Sequence, residues 1–216
     1  MELSISAMTR RRLLQGAVAL FSALGSSHAG YAATTPEQDA KALVTRLVKQ
    51  ILEAIDADSG DSSQERRMMA VIERETNLNL LARMTLGRYW RQATVQQRKV
   101  FADVFRRYLL QSFTSRLRRY AGTGLGAVHD RFTIVATKKV GKNDVVVRSL
   151  IKPPSGASLE VDWRIRSRDG HFFIIDLVVE GISLLITQRS EFGSVVERIG
   201  VDGLIGELET RVARQT

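Results

Sequence analysis

The sequence predicts an α+β fold in which a four-stranded antiparallel sheet is wrapped by several helices. Two observations predict it. Segments of helical periodicity lie on both sides of the middle of the chain, and four consecutive strand-like segments joined by short turns lie between them. Strands that follow one another through short turns pair antiparallel, and helices segregated from strands are typical of α+β proteins.

Apolar residues recur at helical spacing in two long segments before the sheet. Residues 36–56 carry one apolar stripe, and Pro36 suits a first helical position. Residues 95–120 carry the clearest stripe, and Thr94 and Gln97 have the spacing of a capping box. A loop rich in Asp, Ser and Gly is predicted over residues 58–63, and shorter helices over 64–74 and 77–86.

The predicted strands cover residues 131–139, 144–152, 158–167 and 172–180, with turns at 141–143 and 168–170. The fourth strand is apolar on both faces. Its strict alternation would point Phe172, Ile174 and Val178 one way, and Phe173, Ile175, Leu177 and Val179 the other. Such a strand is covered on both sides, by protein or by a ligand.

After Gly181 the apolar pattern becomes helical again, up to about residue 199. Gly200 is expected to end that helix, and Asp202 to cap a last helix over residues 203–214. The chain therefore ends in two consecutive helices that follow the sheet.

Residues 1–32 have the pattern of an export signal, and an uncleaved amphipathic anchor is the alternative interpretation. Three arginines at residues 10–12 precede an apolar run over 13–24, which is shorter than the ~20 residues of a membrane span. Small residues offer cleavage after Ala29 or Ala32, and the basic run also fits the twin-arginine route. Because no cysteine follows the run, a lipid-anchored bacterial lipoprotein is excluded. The remaining residues 33–216 are expected to form one domain in an exported protein.

Composition excludes several kinds of chemistry. The net charge of +9 would favour nucleic acid or an acidic surface, but an exported protein meets membranes and partner proteins instead. The absence of cysteine excludes disulfides and thiol catalysis. His28, His129 and His171 lack metal-ligand spacing, and the glycine-rich residues 122–126 follow a helix instead of opening one. We therefore expect no metal, no cofactor and no nucleic acid partner.

Three carboxylates, Asp162, Asp176 and Glu180, are predicted on the sheet. A curved sheet wrapped by helices can hold an acid/base pair, so an enzyme that uses Asp162 or Asp176 stays open. Pairing of these carboxylates with Arg164, Arg166 or Arg189 is the favoured interpretation.

Five motifs resemble one known family. Residues 86–94 read LGRYWRQAT and are followed by Gln97, Phe101 and Phe105; the remaining motifs are VDWR at 161–164, DLVVEGISL at 176–184, RSEF at 189–192 and GVDGLI at 200–205. In order and spacing these resemble the MlaC family, also called toluene-tolerance or auxiliary ABC-transport proteins. The resemblance covers about residues 37–210.

The resemblance implies an NTF2-like curved sheet that holds acyl chains against helices. It implies a periplasmic carrier that exchanges phospholipid with an inner-membrane ABC transporter complex and an outer-membrane lipoprotein complex, and so maintains outer-membrane lipid asymmetry. We expect the protein to be a monomer. A pocket of about 1,000 Å³ or more is expected, at the top of the usual range for ligand sites. No catalytic residue is expected.

The hypothesis places inward faces of the sheet against helix 95–120 around the lipid tails. The residues expected to bind lipid are Phe101, Phe105, Leu109, Val147, Val161, Trp163, Ile165, Ile175, Leu177 and Val179. The residues expected to face the head group or a partner are Arg88, Arg91 and Arg189.

Two dipeptides depart from the family pattern, namely residues 172–173, which are Phe-Phe, and residues 187–188, which are Thr-Gln. They leave lipid choice open, and a hopanoid-associated branch of the family makes a polycyclic lipid possible in place of phospholipid. Two functions other than lipid transport also stay open: an NTF2-like enzyme and a purely structural adaptor of the transporter. Pocket volume separates the adaptor from a carrier.

Overall fold

Six helices and five strands form the part of the chain that the computed structural model describes, namely residues 34–56, 61–121, 132–152 and 157–214. The helices are α1 (Pro36–Asp56), α2 (Asp61–Glu75), α3 (Leu78–Leu86), α4 (Tyr89–Gln92), α5 (Val95–Ala121) and α6 (Leu184–Ala213). The strands are β1 (Phe132–Val140), β2 (Asp144–Ile151), β3 (Leu159–Arg168), β4 (His171–Val179) and β5 (Ile182–Ser183). The predicted export signal, His129 and the glycine-rich residues 122–126 lie outside the described residues.

Side-chain caps define where the helices begin. Thr94 and Gln97 form the predicted capping box: the Thr94 N–H donates to Gln97 Oε1 at 2.9 Å, and the Gln97 N–H donates to Thr94 Oγ1 at 3.1 Å. Asn77 caps α3 by accepting the Leu80 N–H at 2.9 Å. Helix α2 begins three residues earlier than predicted.

The sheet is an antiparallel meander with the strand order β1-β2-β3-β4-β5. The predicted four-stranded meander and the α+β class are therefore confirmed, with one short strand added. After Gly181 the chain first pairs Ile182 with Val179 and Ser183 with Val178, and only then enters α6. Asp169 and Gly170 form the β3–β4 turn with φ of 52° and 76°, as a two-residue hairpin of positive φ requires.

A β-bulge in β4 changes which residues face the core. The cross-strand partners of Arg164 and Ile165 are Asp176 and Ile174, so Ile175 is an extra residue on β4. Beyond it, Leu177 lies opposite Trp163 and shares the core face with Ile174. The predicted grouping of Ile174 with Val178 was therefore wrong, because the bulge shifts the alternation by one residue.

The core is built from two main apolar clusters. The helical cluster joins α3, α5 and α6 around Phe101, Phe105 and Phe192. Phe192 meets the other two rings edge to face, with centroids 6.1 and 6.2 Å away. The sheet cluster joins α1 to the core face of β2, β3 and β4. A third, small cluster of Ile72, Leu78 and Leu110 joins α2, α3 and α5.

Helix α6 is kinked at Gly200, which has φ of 75° and ψ of 178°. The kink divides α6 into two arms, in agreement with the prediction of two helices separated at Gly200. Asp202 was expected to cap the second arm but lies within it, where its carboxylate accepts a hydrogen bond from Gln97 Nε2 at 2.9 Å. This bond ties the second arm to the start of α5.

Candidate functional site

A cavity of about 310 Å³ lies where the helical cluster and the sheet cluster meet. Its walls come from α1, α2, α3, α5, β3, β4 and α6, and most of the lining side chains are apolar. None of the described lining residues is basic. The site can therefore hold apolar groups, and it offers no side-chain cation to an anionic head group inside it.

Half of the residues that were expected to bind lipid line this cavity: Phe105, Leu109, Trp163, Ile175 and Leu177. The other half lie elsewhere in the core. Phe101 is buried in the helical cluster, and Val147, Val161, Ile165 and Val179 lie in the sheet cluster, which is packed against α1. The ten residues therefore do not all border this cavity, because α1 occupies part of the core face of the sheet, and their role in lipid binding stays a prediction.

Several lining residues were missed from the sequence. Leu47 and Ile51 of α1, Leu81 of α3, and Tyr108 and Phe113 of α5 all line the cavity. Helical periodicity places most of them on apolar stripes. It does not say which part of a stripe borders empty space, because that depends on where separately packed clusters meet.

Trp163 is held in place at the sheet side of the cavity. Its indole Nε1–H donates to Ser149 Oγ at 2.9 Å, and the Ser149 hydroxyl donates to the Val161 carbonyl at 3.2 Å. Ser149 is fully buried. A buried tryptophan needs a partner for its N–H, so this chain of hydrogen bonds fixes the ring against the cavity.

Asp176 lies in the cavity wall and holds the start of α6. It is buried, and its carboxylate accepts hydrogen bonds from the Ser183 hydroxyl at 2.6 Å and the Leu185 N–H at 3.0 Å. Ser183 in turn accepts the Ile186 N–H at 3.0 Å. The positive end of the helix dipole stabilises a carboxylate at this position. The two N-cap acceptors together fix the bend from β4 into α6.

The predicted pairing of Asp162, Asp176 and Glu180 with Arg164, Arg166 or Arg189 was wrong. Asp162 accepts two hydrogen bonds from Arg148, at 2.7 and 2.8 Å. The Glu180 carboxylate accepts the Glu160 N–H at 2.5 Å. These carboxylates are held by an arginine on the neighbouring strand β2 or by backbone and hydroxyl donors.

Arg164 and Arg166 instead bind Asp144, which is buried on the outer face of the sheet. The hydrogen bonds from Arg166, together with those from Arg164, lower the pKa of Asp144 below its ordinary value of 3.8 against the opposing effect of burial. The group therefore stays ionised at neutral pH, which suits a structural ion pair and not a general acid.

A polar network borders the cavity between α5 and α6. The Tyr108 hydroxyl donates to Gln188 Oε1 at 3.4 Å, Gln188 Nε2 donates to Glu191 at 3.2 Å, and Arg211 donates to Glu191 at 2.6 Å. Thr187 and Glu191 are the exposed members of the described lining, so the mouth of the cavity lies on the α6 side.

The residues that depart from the family pattern fall in different places. Thr187 and Gln188 line the cavity near its mouth. Phe172 packs partly buried against the sheet cluster. The Thr-Gln departure therefore alters the wall of the site, whereas Phe172 affects the packing of the sheet cluster.

The three arginines expected at the head group do not line the cavity. Arg88 pairs with Glu197 and hydrogen-bonds Tyr89, and Arg91 is exposed on α4. Arg189 is exposed on α6, and its guanidinium covers Gly87, where an added Cβ would lie 2.5 Å from Arg189 Nε. All three lie on the surface formed by α4 and α6.

Candidate metal sites and membrane-spanning helices are both absent from the residues that the structure describes. No group of three or more His, Asp or Glu side chains there could hold a metal ion. Within those same ranges, no helix combines the length and apolar character needed to cross a bilayer.

Comparison with known proteins places the chain in a family. The sequence model of the family described as MlaC protein matches residues 43–210. The chain belongs to the MlaC family. Two relatives show what proteins of similar sequence or fold bind.

One relative is the intermembrane phospholipid transport system binding protein MlaC of Haemophilus influenzae. It is 22% identical over 176 residues, which are 77% of this chain and 79% of the relative. A solved structure of similar fold is that of a phospholipid-binding protein from Ralstonia solanacearum in complex with a phospholipid. It matches with a TM-score of 0.66 and 25% identity, covering 82% of this chain and 98% of that one. Both relatives are thus phospholipid-binding or phospholipid-transport proteins.

Proposed function

We propose that this MlaC-family protein is a periplasmic carrier of phospholipid, which holds acyl chains in the cavity between the helical and sheet clusters. The observation that carries the proposal is the apolar cavity itself, in a fold shared with a protein solved in complex with a phospholipid. Residues 1–32 would direct export and be removed after Ala29 or Ala32, leaving residues 33–216 as the lipid-binding domain.

The lining explains how acyl chains could leave a bilayer without catalysis. A two-chain lipid has about thirty methylenes, and exposing them to water costs roughly 24 kcal/mol at about 0.8 kcal/mol each. Transfer from a bilayer to an apolar cavity replaces one apolar environment with another, so that free energy is largely avoided. The protein then needs a cavity, a mouth and docking partners, and no reacting group.

The cavity is smaller than expected. Its 310 Å³ lies at the lower end of the range of about 300–1,000 Å³ for ligand sites and well below the expected pocket of about 1,000 Å³. A two-chain lipid therefore requires the helical cluster and the sheet cluster to move apart at the cavity. The location of the cavity at their boundary supports this, because widening there leaves the interior of each cluster intact.

The lack of basic lining residues supports a head group outside the cavity. A phosphate taken into the interior would find no arginine or lysine among the described lining residues. The head group would instead lie at the mouth beside Thr187 and Glu191, with the exposed Arg189 nearby on the same helix. Exchange would take place at this mouth, with an inner-membrane ABC transporter complex and an outer-membrane lipoprotein complex as donor and acceptor.

The proposal is tested by native mass spectrometry and lipid extraction of the protein purified from the periplasm of an expressing cell. We expect a phospholipid to co-purify in a fixed ratio to the protein and to transfer to acceptor vesicles. Protein that carries no lipid, and that accepts none from vesicles, would contradict the proposal. Recovery of a polycyclic lipid in place of phospholipid would favour a carrier of the hopanoid type.

A further inference from the structure

The mouth of the cavity lies at one end of a helix pair. Helix α5 and the first arm of α6 run antiparallel, because Phe101 contacts Phe192 while Tyr108, farther along α5, contacts Gln188, which lies earlier on α6. The cavity-lining residues of both helices are therefore at the end of the pair where α6 begins. Val95, the first residue of α5, lies at the opposite end.

Two isoleucines project into solvent beside this mouth. Ile182 is 61% exposed and Ile186 is 67% exposed, and they are four residues apart at the β5–α6 junction. Between them, Leu184 and Leu185 turn inward and line the cavity. The exposed isoleucines are thus continuous with the cavity wall, and nothing in the packing of the described residues explains why both are apolar.

A cation stands next to these isoleucines. Arg189 is exposed three residues after Ile186, and no carboxylate of the described residues lies within ion-pair distance of it. Its guanidinium lies over the backbone of Gly87, where any side chain would collide with it. The whole chain carries a net charge of +9, and a net charge of +7 remains once residues 1–32, with three arginines and one glutamate, are removed. Apolar side chains beside an exposed cation, on a basic protein, complement the surface of an anionic bilayer.

We propose that Ile182, Ile186 and Arg189 form a bilayer-docking surface that seats the mouth of the cavity directly on an anionic phospholipid membrane. The inference rests on the proposed carrier function and adds to it a contact with the lipid surface itself. Two isoleucines provide far less area than the ~1,200 Å² that a specific protein interface buries. Shallow insertion into a bilayer has no such requirement, and it would keep the acyl chains out of water as they pass the mouth.

The test measures co-sedimentation of the purified exported protein, residues 33–216, with lipid vesicles. We expect binding to vesicles of phosphatidylethanolamine and phosphatidylglycerol, and weak binding to phosphatidylcholine alone. The double variant Ile182→Asp/Ile186→Asp should lose binding by about tenfold, because charged groups replace the inserting side chains. Arg189→Gln should bind more weakly and with a smaller dependence on salt. The matched control Val95→Asp, at an 81% exposed site on the far end, should bind as the wild type does.

Three results would overturn the inference: no vesicle binding by the wild type, unchanged binding by the double isoleucine variant, or binding only when a membrane protein is embedded in the vesicles. The last would assign the surface to a protein partner. A second variant, Ile182→Ser/Ile186→Ser, and a circular dichroism spectrum of each protein show that the loss is not unfolding. Lipid extraction of the same samples separates the two proposals, since a protein without lipid fails as a carrier whatever its vesicle binding.

Discussion

Replacing Leu177 with tryptophan distinguishes an open cavity from a filled core. Leu177 lies on the core face of β4, opposite Trp163, and lines the 310 Å³ cavity. Ile165 lies two residues from Trp163 on the same face of β3, but it is fully buried in the sheet cluster and does not line the cavity. Ile165→Trp is therefore the matched control, with the same added ring on the same face of the sheet.

The two substitutions should differ in stability. Adding a large side chain to a well-packed core costs about 1–3 kcal/mol, and 1 kcal/mol shifts Tm by about 2–4 °C in a protein of this size. Ile165→Trp should therefore lower Tm by about 2–12 °C. Leu177→Trp directs its ring into existing space and should change Tm by less than about 2–4 °C, since its cost stays below 1 kcal/mol.

The two substitutions should also differ in lipid content, in the opposite order. A ring in the cavity competes with an acyl chain, so Leu177→Trp should retain less phospholipid by about tenfold, which corresponds to 1.4 kcal/mol. The assay is thermal unfolding of delipidated protein by circular dichroism, followed by phosphate analysis of reloaded protein. Equal destabilisation by both variants would show that the space is packed. A stable Leu177→Trp variant with a full lipid load would show that lipid binds elsewhere.

Three further predictions concern the structure around the site. Phe192→Ala should lower the free energy of unfolding in urea by about 3–5 kcal/mol, because the ring is fully buried at the centre of the helical cluster; a loss below 1 kcal/mol would contradict that packing. The lowered pKa of Asp144 means that its contribution to stability is complete above pH 3.8 and is lost as the pH falls through the lowered value. Asp144→Asn should therefore be less stable than the wild type at pH 7 by about 1–2 kcal/mol. Its free energy of unfolding should fall less than that of the wild type as the pH is lowered, and an acid unfolding curve parallel to that of the wild type would refute this. Ser149→Ala should remove the acceptor of the Trp163 N–H, lower stability by about 1–3 kcal/mol and shift the tryptophan emission, whereas an unchanged spectrum would indicate a mobile ring.

The elements of this fold were predictable because their signals are local. The Thr94–Gln97 capping box, the Asp169–Gly170 turn and the break at Gly200 are each set by a few neighbouring residues, and each lies where the sequence placed it. The bulge at Ile175 could not be predicted in this way. Because Ile174 and Ile175 are both apolar, the alternation of residue types does not reveal that the phase changes between them.

The site was less predictable than the fold, for a reason seen in the residues that were misplaced. Val161, Ile165 and Trp163 share one face of β3, yet only Trp163 lines the cavity. Which of three equivalent side chains meets empty space depends on how far α1 extends over the sheet. That distance is set by tertiary packing, whereas the hydrogen bond to Ser149 fixes only the orientation of the Trp163 ring.

The way in which the two clusters are joined bears on how a small cavity could admit a two-chain lipid. On the sheet side, α1 is tied to the end of α2 by Arg46, which donates to the buried Glu75 at 3.0 Å, and Thr76 bridges to Ile174 of β4. Across the boundary, the ties among the described residues include the hydrogen bonds from Ser183 and Leu185 of α6 to Asp176 of β4, the small cluster around Ile72, and the exposed ion pair between Arg106 and Glu73.

An exposed ion pair contributes about 0–1 kcal/mol, and separating a few apolar side chains costs about 25 cal/mol per Å² of surface exposed to water. Acyl chains that enter the widened space cover that surface again, so most of the opening cost is regained on loading. Exposing the chains of a free lipid to water costs roughly 24 kcal/mol, which is the cost that a carrier must avoid. A cavity that is small when empty and that widens between two intact clusters is sufficient for this. The empty form of the proposed carrier would then also expose little apolar surface to water.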